Sequence, residues 1–135
     1  MNKPLFTIEI DLHECHTLQS AKGQVNMICF GGRCDCDFFR GEILSGGVDT
    51  QRYLNSAPGR LSARYMLSGT DDEGTPTRLF IENNGETGAD GVMVTRPRIL
   101  TDNPRLAWLE DARLTGSVLP RDGGVTICFY RTELA

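Results

Sequence analysis

The chain has 135 residues and a mass of 14.9 kDa, the size of one domain, which leaves little room for two independent cores. Its 39% hydrophobic and 24% charged residues are typical of a globular protein, and its formal net charge of −4 gives no general attraction to nucleic acid. Its apolar stretches fall far short of the roughly 20 residues that a membrane-spanning helix needs. We therefore expect a single domain over residues 1–135 that binds neither nucleic acid nor membranes.

Alternation of apolar and polar residues predicts strands along most of the chain. The first strand is the clearest, because Phe6, Ile8, Ile10 and Leu12 alternate with polar residues. The other predicted strands cover residues 24–30, 34–44, 61–68, 77–83, 91–96, 112–118 and 125–131. Residues 104–110 predict a helical turn, with Asp102 or Asn103 as its candidate N-cap.

Turn signals rich in glycine separate these strands, in the rhythm of an all-β sandwich or barrel. The last two strands flank Asp122-Gly123-Gly124, which favours a hairpin. About eight or nine antiparallel strands form a sheet long enough to curl, and closure removes its exposed edges. We therefore predict an all-β fold, a single antiparallel barrel whose interior holds side chains or one small ligand.

Four segments follow one another in an order that matches a known family. They are Gly41-Glu-Ile-Leu-Ser-Gly-Gly-Val-Asp49, Leu61-Ser-Ala-Arg-Tyr65 followed by Asp71-Asp-Glu-Gly74, Ile81-Glu-Asn-Asn-Gly85, and the stretch from Pro97 to Leu109. Together they resemble the small bacterial and fungal family DUF3237, a domain of unknown function, from about Pro4 to Phe129. The resemblance implies a calycin-like barrel that often self-associates and has no settled biochemical role.

The chain departs from the family pattern at two positions. An aromatic residue commonly follows the aspartate where this chain has Thr50, and glycine is usual where it has Cys36. Either departure would reshape the mouth of a pocket.

Two charged residues are candidate catalytic groups. Asp49 follows a double glycine that can turn the chain sharply, so it is either a general base at the barrel mouth or a carboxylate that fixes the loop. Arg64 lies in a strand whose opposite face carries Leu61, Ala63, Tyr65 and Leu67. Alternation favours a solvent-facing arginine, whereas the family resemblance favours an inward one that would hold an anionic ligand.

Four further residues are candidate ligand-binding groups. Glu42 occupies an alternate strand position, as a solvated side chain or as an inward carboxylate with a raised pKa. Asn83 either orients a ligand carbonyl or belongs to an ordinary turn. Tyr65 and Trp108 suit an aromatic-binding pocket or the core, and Trp108 also suits a plug at one end of the barrel.

The cysteines predict neither disulfides nor a metal site. Five is an odd count in a chain large enough to fold without crosslinks, and the N-terminus lacks the apolar core of a signal peptide, so a cytoplasmic location is expected. Neither His13-Glu14-Cys15-His16 nor Cys34-Asp35-Cys36 has the ligand spacing of a zinc site. We expect no metal and no cofactor.

Three functional hypotheses follow. In the first, the barrel binds a small organic molecule, aromatic or polyketide-like, and acts as a cofactor-independent isomerase or cyclase. Asp49 is then the base, Arg64 and Asn83 stabilise an oxyanion, and Tyr65 and Trp108 shape the cavity. In the second, the barrel is a non-catalytic carrier or sensor, and in the third it is an interaction scaffold with a filled interior. Self-association into a homo-oligomer is expected in each case.

Overall fold

In the computed structural model the chain forms nine strands and one short helical segment, and the structure describes residues 3–88 and 93–132. The strands are β1 (Phe6–Ser20), β2 (Gly23–Asp35), β3 (Phe39–Ile43), β4 (Val48–Leu54), β5 (Arg60–Asp71), β6 (Pro76–Thr87), β7 (Met93–Thr101), β8 (Leu114–Arg121) and β9 (Gly124–Arg131). Between β7 and β8 lie a 3₁₀ turn, Pro104–Leu106, and a one-turn helix α1, Trp108–Asp111. Over these described ranges, no helix has the length and apolar character needed to cross a bilayer.

The strands close into an antiparallel barrel. Hydrogen bonds join them in the order β1-β9-β8-β7-β6-β5-β3-β2, and β2 returns to pair with β1. Strands β3 and β4 share one place in this ring, because both lie between β2 and β5. The ring therefore has eight positions with one extra strand, which confirms the predicted all-β barrel of eight or nine strands.

The two ends of the barrel differ in how they are closed. The β1–β2, β4–β5 and β8–β9 connections lie towards one end, which we call the hairpin end. The other end, the helical end, is covered by the segment between β7 and β8, where Leu106 and Leu109 are 4% and 0% exposed. Buried apolar side chains at this end explain why so short a helix is held in place.

The hydrophobic core fills the half of the barrel next to the helical end. Its largest fully buried side chains come from inward positions that alternate with outward ones: Ile8, Phe39, Leu67, Leu79, Ile81 and Phe129, with Leu109 from α1. The first and last strands meet there, and the rings of Phe6 and Phe129 stack with centroids 4.5 Å apart.

Three sequence-based predictions of strand boundaries were wrong. Residues 34–44 do not form one strand, because the chain turns where the Cys36 N–H donates to the Phe39 carbonyl at 2.9 Å. Strand β4 was missed, since it carries polar residues on both faces and shows no apolar alternation. Strand β1 continues to Ser20 because its polar second half still pairs with β2. The predicted strand 91–96 begins outside the described residues.

Two local predictions are confirmed. The segment after β7 is helical, and the Asn103 side chain caps it by accepting a hydrogen bond from the Arg105 N–H at 3.0 Å. The β8–β9 connection is a tight hairpin whose Gly123 has a φ of 75°, a backbone conformation that glycine adopts without strain.

Candidate ligand site inside the barrel

The double glycine before β4 sets the direction of Asp49. Gly46 has a φ of 106°, and a Cβ on Gly47 would lie 3.0 Å from the Phe30 carbonyl oxygen and 3.3 Å from the Cβ of Tyr65. A side chain at position 47 would therefore be more crowded than a Cβ usually is, and glycine avoids this crowding. The Phe30 N–H donates to the Gly47 carbonyl at 3.1 Å, so β4 starts in a fixed register with Asp49 facing inward.

One cross-strand row places Asp49 and Asn83 on the same inner surface. Asp49 pairs with Ala63, Ala63 with Asn83, and Asn83 with Pro97. Two strand spacings separate the Cα atoms of Asp49 and Asn83, which is roughly 10 Å. A small organic molecule is long enough to contact both side chains at once.

Gly116 leaves space beside Asn83. A Cβ at this position would meet the Thr95 hydroxyl oxygen at 2.5 Å and the Asn83 Nδ2 at 3.5 Å. Thr95 is 1% exposed and donates its hydroxyl proton to the Gly116 carbonyl at 3.1 Å. The side of the row away from Asp49 is therefore narrow.

A chain of hydrogen bonds extends from Asp49 towards the hairpin end. Gln51 donates to the Asp49 carboxylate at 3.1 Å, Asn26 donates to the Gln51 oxygen at 3.5 Å, and the Thr17 hydroxyl donates to Asn26 at 2.9 Å. We call Asn26, Gln51, Asp49 and Asn83 the inner polar cluster; Thr17, which bonds to it from the hairpin end, is exposed. Asn26 and Gln51 were not predicted from the sequence, because their inward spacing from Ile28 and Asp49 is visible only once the strand pairing is known.

Asp49 is the one charged member of this cluster. Its Oδ1 is buried and has no hydrogen-bond partner among the described residues, and its Oδ2 accepts the bond from Gln51. Burial raises the pKa of Asp49, and the Gln51 amide offsets only part of that shift. Asn83, 4% exposed, likewise has a buried Oδ1 without a partner in the described part of the chain.

Tyr65 lies one inward position deeper, within the core. Its ring packs edge-on against Phe30 with centroids 5.1 Å apart, and its buried hydroxyl has no partner in the ranges that the structure describes. Burial, with a smaller contribution from Cys34, raises the pKa of Tyr65. The hydroxyl therefore stays protonated, and Tyr65 forms part of the floor below the inner polar cluster.

Arg64 and Glu42 lie on the outer surface. The Arg64 side chain is 65% exposed and its Nε lies 3.0 Å from the Glu82 carboxylate. Its neighbours Ala63 and Tyr65 face inward, so strand alternation turns Arg64 away from Asp49, and the inward orientation is not observed. Glu42 is exposed on β3 for the same reason.

Trp108 is at the helical end, away from the inner polar cluster. Its ring packs edge-on against Phe38 with centroids 5.4 Å apart, and the Arg131 guanidinium lies 5.7 Å above it. Of the six candidate residues, the structure thus gathers Asp49, Asn83 and Tyr65 inside the barrel, and places Arg64, Glu42 and Trp108 elsewhere.

The residues singled out as metal-ligand candidates do not converge. Cys34 and Cys36 place their sulfurs 4.0 Å apart, but no group of three or more His, Cys, Asp or Glu side chains with metal-binding geometry occurs within residues 3–88 and 93–132. Two thiols without further ligands fall short of the four that a structural zinc site uses.

Comparison with known proteins finds one matching family and several solved structures with the same fold. A family model described as a protein of unknown function (DUF3237) matches residues 2–93, and no curated protein matches the sequence. A protein of unknown function from Clostridium acetobutylicum is similar over 98% of this chain and 97% of its own, with a TM-score of 0.79 and 22% identity. A conserved protein of unknown function from Rhodopseudomonas palustris covers 97% and 96%, with a TM-score of 0.77 and 23% identity.

An enzyme from Penicillium herquei is also similar in structure. The similarity covers 96% of this chain and 92% of the enzyme, with a TM-score of 0.72 and 13% identity. At this identity the comparison establishes a shared barrel only.

Proposed function

Since the chain belongs to the family of proteins of unknown function DUF3237, whose description assigns no activity, we propose its function from the inner polar cluster. The barrel binds a small organic molecule between Asp49 and Asn83 and acts on it by proton transfer. The reaction class is a cofactor-independent isomerisation or cyclisation of an aromatic or polyketide-like compound, with Asp49 as the general base.

The observation that carries this proposal is the environment of the Asp49 carboxylate. A buried polar group without a partner lowers the stability of the folded protein by about 1–3 kcal/mol, and a charged one lowers it more. Asp49 therefore destabilises the fold in which it is found. The raised pKa of Asp49 brings the carboxylate closer to the range in which it accepts and returns a proton efficiently. Both effects are typical of a catalytic carboxyl group rather than of a loop-fixing one.

The neighbouring groups support a division of roles. With its carboxylate ionised, Asp49 takes a proton from the ligand, and the Asn83 amide N–H groups donate to the oxygen on which negative charge develops. The proton then returns from Asp49 to another ligand atom, which completes an isomerisation or a ring closure without a cofactor. The Penicillium herquei enzyme supports the proposal only in that a barrel of this shape can carry catalysis.

One observation favours a second candidate, a non-catalytic carrier or sensor. No member of the inner polar cluster is a cation, and Arg64, which was predicted to stabilise the oxyanion, is paired with Glu82 on the outer surface. A ligand with a weakly acidic proton would then be bound by the cluster and released unchanged.

Native mass spectrometry is the first test. We expect protein purified under mild conditions to carry a small molecule, and Asn83→Ala, which removes the amide but not the base, to lose it. Asn55→Ala, at an exposed asparagine in the β4–β5 turn, is the matched control and should retain the ligand. A neutral aromatic probe, 1-aminoanthracene, extends the comparison to protein that carries no ligand.

Turnover distinguishes the two candidates. The released compound is incubated in deuterium oxide with wild type and with Asp49→Asn, and deuterium incorporation or isomer formation is followed by NMR. Conversion by wild type that is lost in Asp49→Asn supports the enzyme. Recovery of unaltered compound from wild type supports the carrier. A wild-type protein that binds neither a compound nor the probe contradicts both and supports a scaffold with a filled interior.

Self-association, which the family resemblance implies, is a separate proposal. Sedimentation velocity at micromolar concentration is expected to show a species larger than the 14.9 kDa monomer. A single species of monomer mass would contradict it.

A further inference from the structure

The outer surface of β4–β7 carries a groove of about 1160 Å³. This groove lies on the opposite face of the strands that hold Asp49 and Asn83, so it is separate from the inner polar cluster. Its walls are strongly basic. Five arginine side chains line it: Arg52, Arg60, Arg64, Arg96 and Arg98.

Strand pairing arranges these arginines along the groove. Arg52 pairs directly with Arg60 towards the hairpin end, whereas Arg64 and Arg98 lie on either side of Glu82. Arg60 and Arg64 are four positions apart on β5, and at 3.3 Å per residue this separates the two groups by roughly 13 Å. Arg96 lies between the groups, so the cations form a track rather than a single point.

Carboxylates neutralise only part of this charge. Glu82 lies 3.0 Å from Arg64, and Glu86 lies 3.9 Å from Arg60. Within residues 3–88 and 93–132, no carboxylate lies within ion-pair distance of the other three arginines that line the groove. The groove therefore has more positive than negative groups in a chain whose net charge is −4.

The pairing of Arg52 with Arg60 has an energetic cost. Like charges directly opposite each other on neighbouring strands destabilise a sheet. An anion between the two guanidinium groups would convert this repulsion into attraction. A bound anion would therefore stabilise this pair of arginines relative to the protein without an anion.

The floor of the groove supplies further hydrogen-bonding groups. Thr50, Ser62 and Asn84 form one cross-strand row between the two arginine groups. The Ser62 hydroxyl is buried and has no hydrogen-bond partner among the described residues. It can donate to an oxygen of a molecule lying above it.

We propose that this groove binds an elongated organic polyanion that carries at least two phosphate or carboxylate groups. Each planar guanidinium group forms paired hydrogen bonds with a phosphate or a carboxylate. Five guanidinium groups along the groove favour a ligand with several anionic groups over a ligand with one. The groove volume exceeds the roughly 300–1000 Å³ of a typical small-molecule pocket, which fits an extended ligand. Anionic groups up to roughly 13 Å apart would reach both ends of the track.

Isothermal titration calorimetry with inorganic tripolyphosphate and with citrate tests the proposal, at about 50 mM salt so that surface charges are not fully screened. The groove variants are Arg52→Gln/Arg60→Gln and Arg64→Gln/Arg98→Gln. The control is Arg33→Gln/Arg40→Gln, which removes the same charge from exposed arginines that pair with Asp11 and Asp35 outside the groove. Circular dichroism checks that each variant is folded.

We expect one polyanion per chain to bind, each groove variant to weaken binding at least about tenfold, and the control to change it less than about twofold. Inorganic monophosphate should bind at least about tenfold more weakly than tripolyphosphate. Tighter binding of tripolyphosphate than of citrate would assign phosphate as the preferred group, and the reverse would assign carboxylate.

Three results would overturn the proposal. One is the absence of binding of both polyanions at about 1 mM. Another is an equal loss of affinity in the control variant, since binding would then reflect overall charge. The third is a change of sedimentation mass in the groove variants without any binding of polyanion to wild type, because the groove would then be an interface between copies of the chain.

Discussion

Replacement of Asp49 by asparagine is expected to stabilise the protein at neutral pH. Asp49 buries a carboxylate oxygen that no described residue pairs, whereas an amide of the same shape is uncharged. Removing an unsatisfied buried charge should raise the free energy of unfolding by about 1 kcal/mol, the lower end of the range for such groups. Unfolding entropy of about 2.1 cal/mol/K per residue gives about 0.28 kcal/mol/K for 135 residues. The melting temperature of Asp49→Asn should therefore rise by about 3–4 °C at pH 7.

The stability that Asp49→Asn gains over wild type should decrease as the pH is lowered. Burial raises the pKa of Asp49 above its ordinary value of 3.8, so the folded wild type loses stability as pH rises from 3.8 through the folded pKa. Below pH 3.8 the carboxyl group is protonated in both states, and the advantage of Asp49→Asn should vanish. Thermal unfolding followed by circular dichroism at pH 7 and at about pH 3 measures the difference.

A matched control separates this effect from a general loss of negative charge. Asp122→Asn changes an exposed turn residue before Gly123, where Asp-Gly and Asn-Gly are both favoured, and should shift stability by less than about 0.5 kcal/mol. The explanation would be refuted if Asp49→Asn were less stable than wild type at pH 7, or if its melting temperature were shifted equally at both pH values. A more stable protein that has lost turnover would show that the carboxylate is kept for function.

Three further predictions concern the rest of the molecule. Leu109→Ala should lower the unfolding free energy by about 3 kcal/mol and the melting temperature by about 10 °C, because Leu109 is 0% exposed; Leu100→Ala, at a 59% exposed residue, is its control in the same melts. Burial acts to raise the pKa of Asp71, but hydrogen bonds from Asn103, Thr75 and Arg105 outweigh it and lower that pKa. Asp71→Asn should therefore have a lower free energy of unfolding in urea than wild type at pH 7, and this difference should shrink as the pH falls below 3.8. A difference that does not change with pH would contradict this explanation. The Cys34 thiol lowers the pKa of Cys36 to about 7, so iodoacetamide labelling of Cys36, followed by peptide mass spectrometry, should rise with a midpoint near pH 7; a midpoint above pH 8 would contradict the effect of Cys34.

The sequence predicted the fold better than the site. Alternation at Phe6, Ile8 and Ile10 was enough to assign an inward face, and the same rule favoured the outward orientation that Arg64 adopts. Strand β4 has no such alternation, so its register depends on pairing with β2 and β5. Local patterns carry no information on pairing between distant strands, which is why the sequence did not join Asp49 to Asn26.

The candidate site illustrates the same limit. Asp49 was identified from the glycines before it, and Asn83 from the Asn83-Asn84-Gly85 segment, for which an ordinary turn was the alternative. Their shared row, and the separation of Trp108 at the other end, follow only from the closed ring. The arginine groove was missed because its five arginines come from three strands and are separated by up to 46 positions in the sequence, from Arg52 to Arg98.

Pairing of β1 with β9 also governs how this molecule forms. Phe6 pairs with Phe129, so the ring cannot close until residues near the end of β9 have been synthesised. During translation β1 is left with one unpaired edge, and its apolar residues lack the partner that later covers them. Contacts between such distant residues are slow to form, so we expect refolding in milliseconds to seconds rather than microseconds. The same pairing should make folding depend more on completion of the chain than on the stability of any one hairpin.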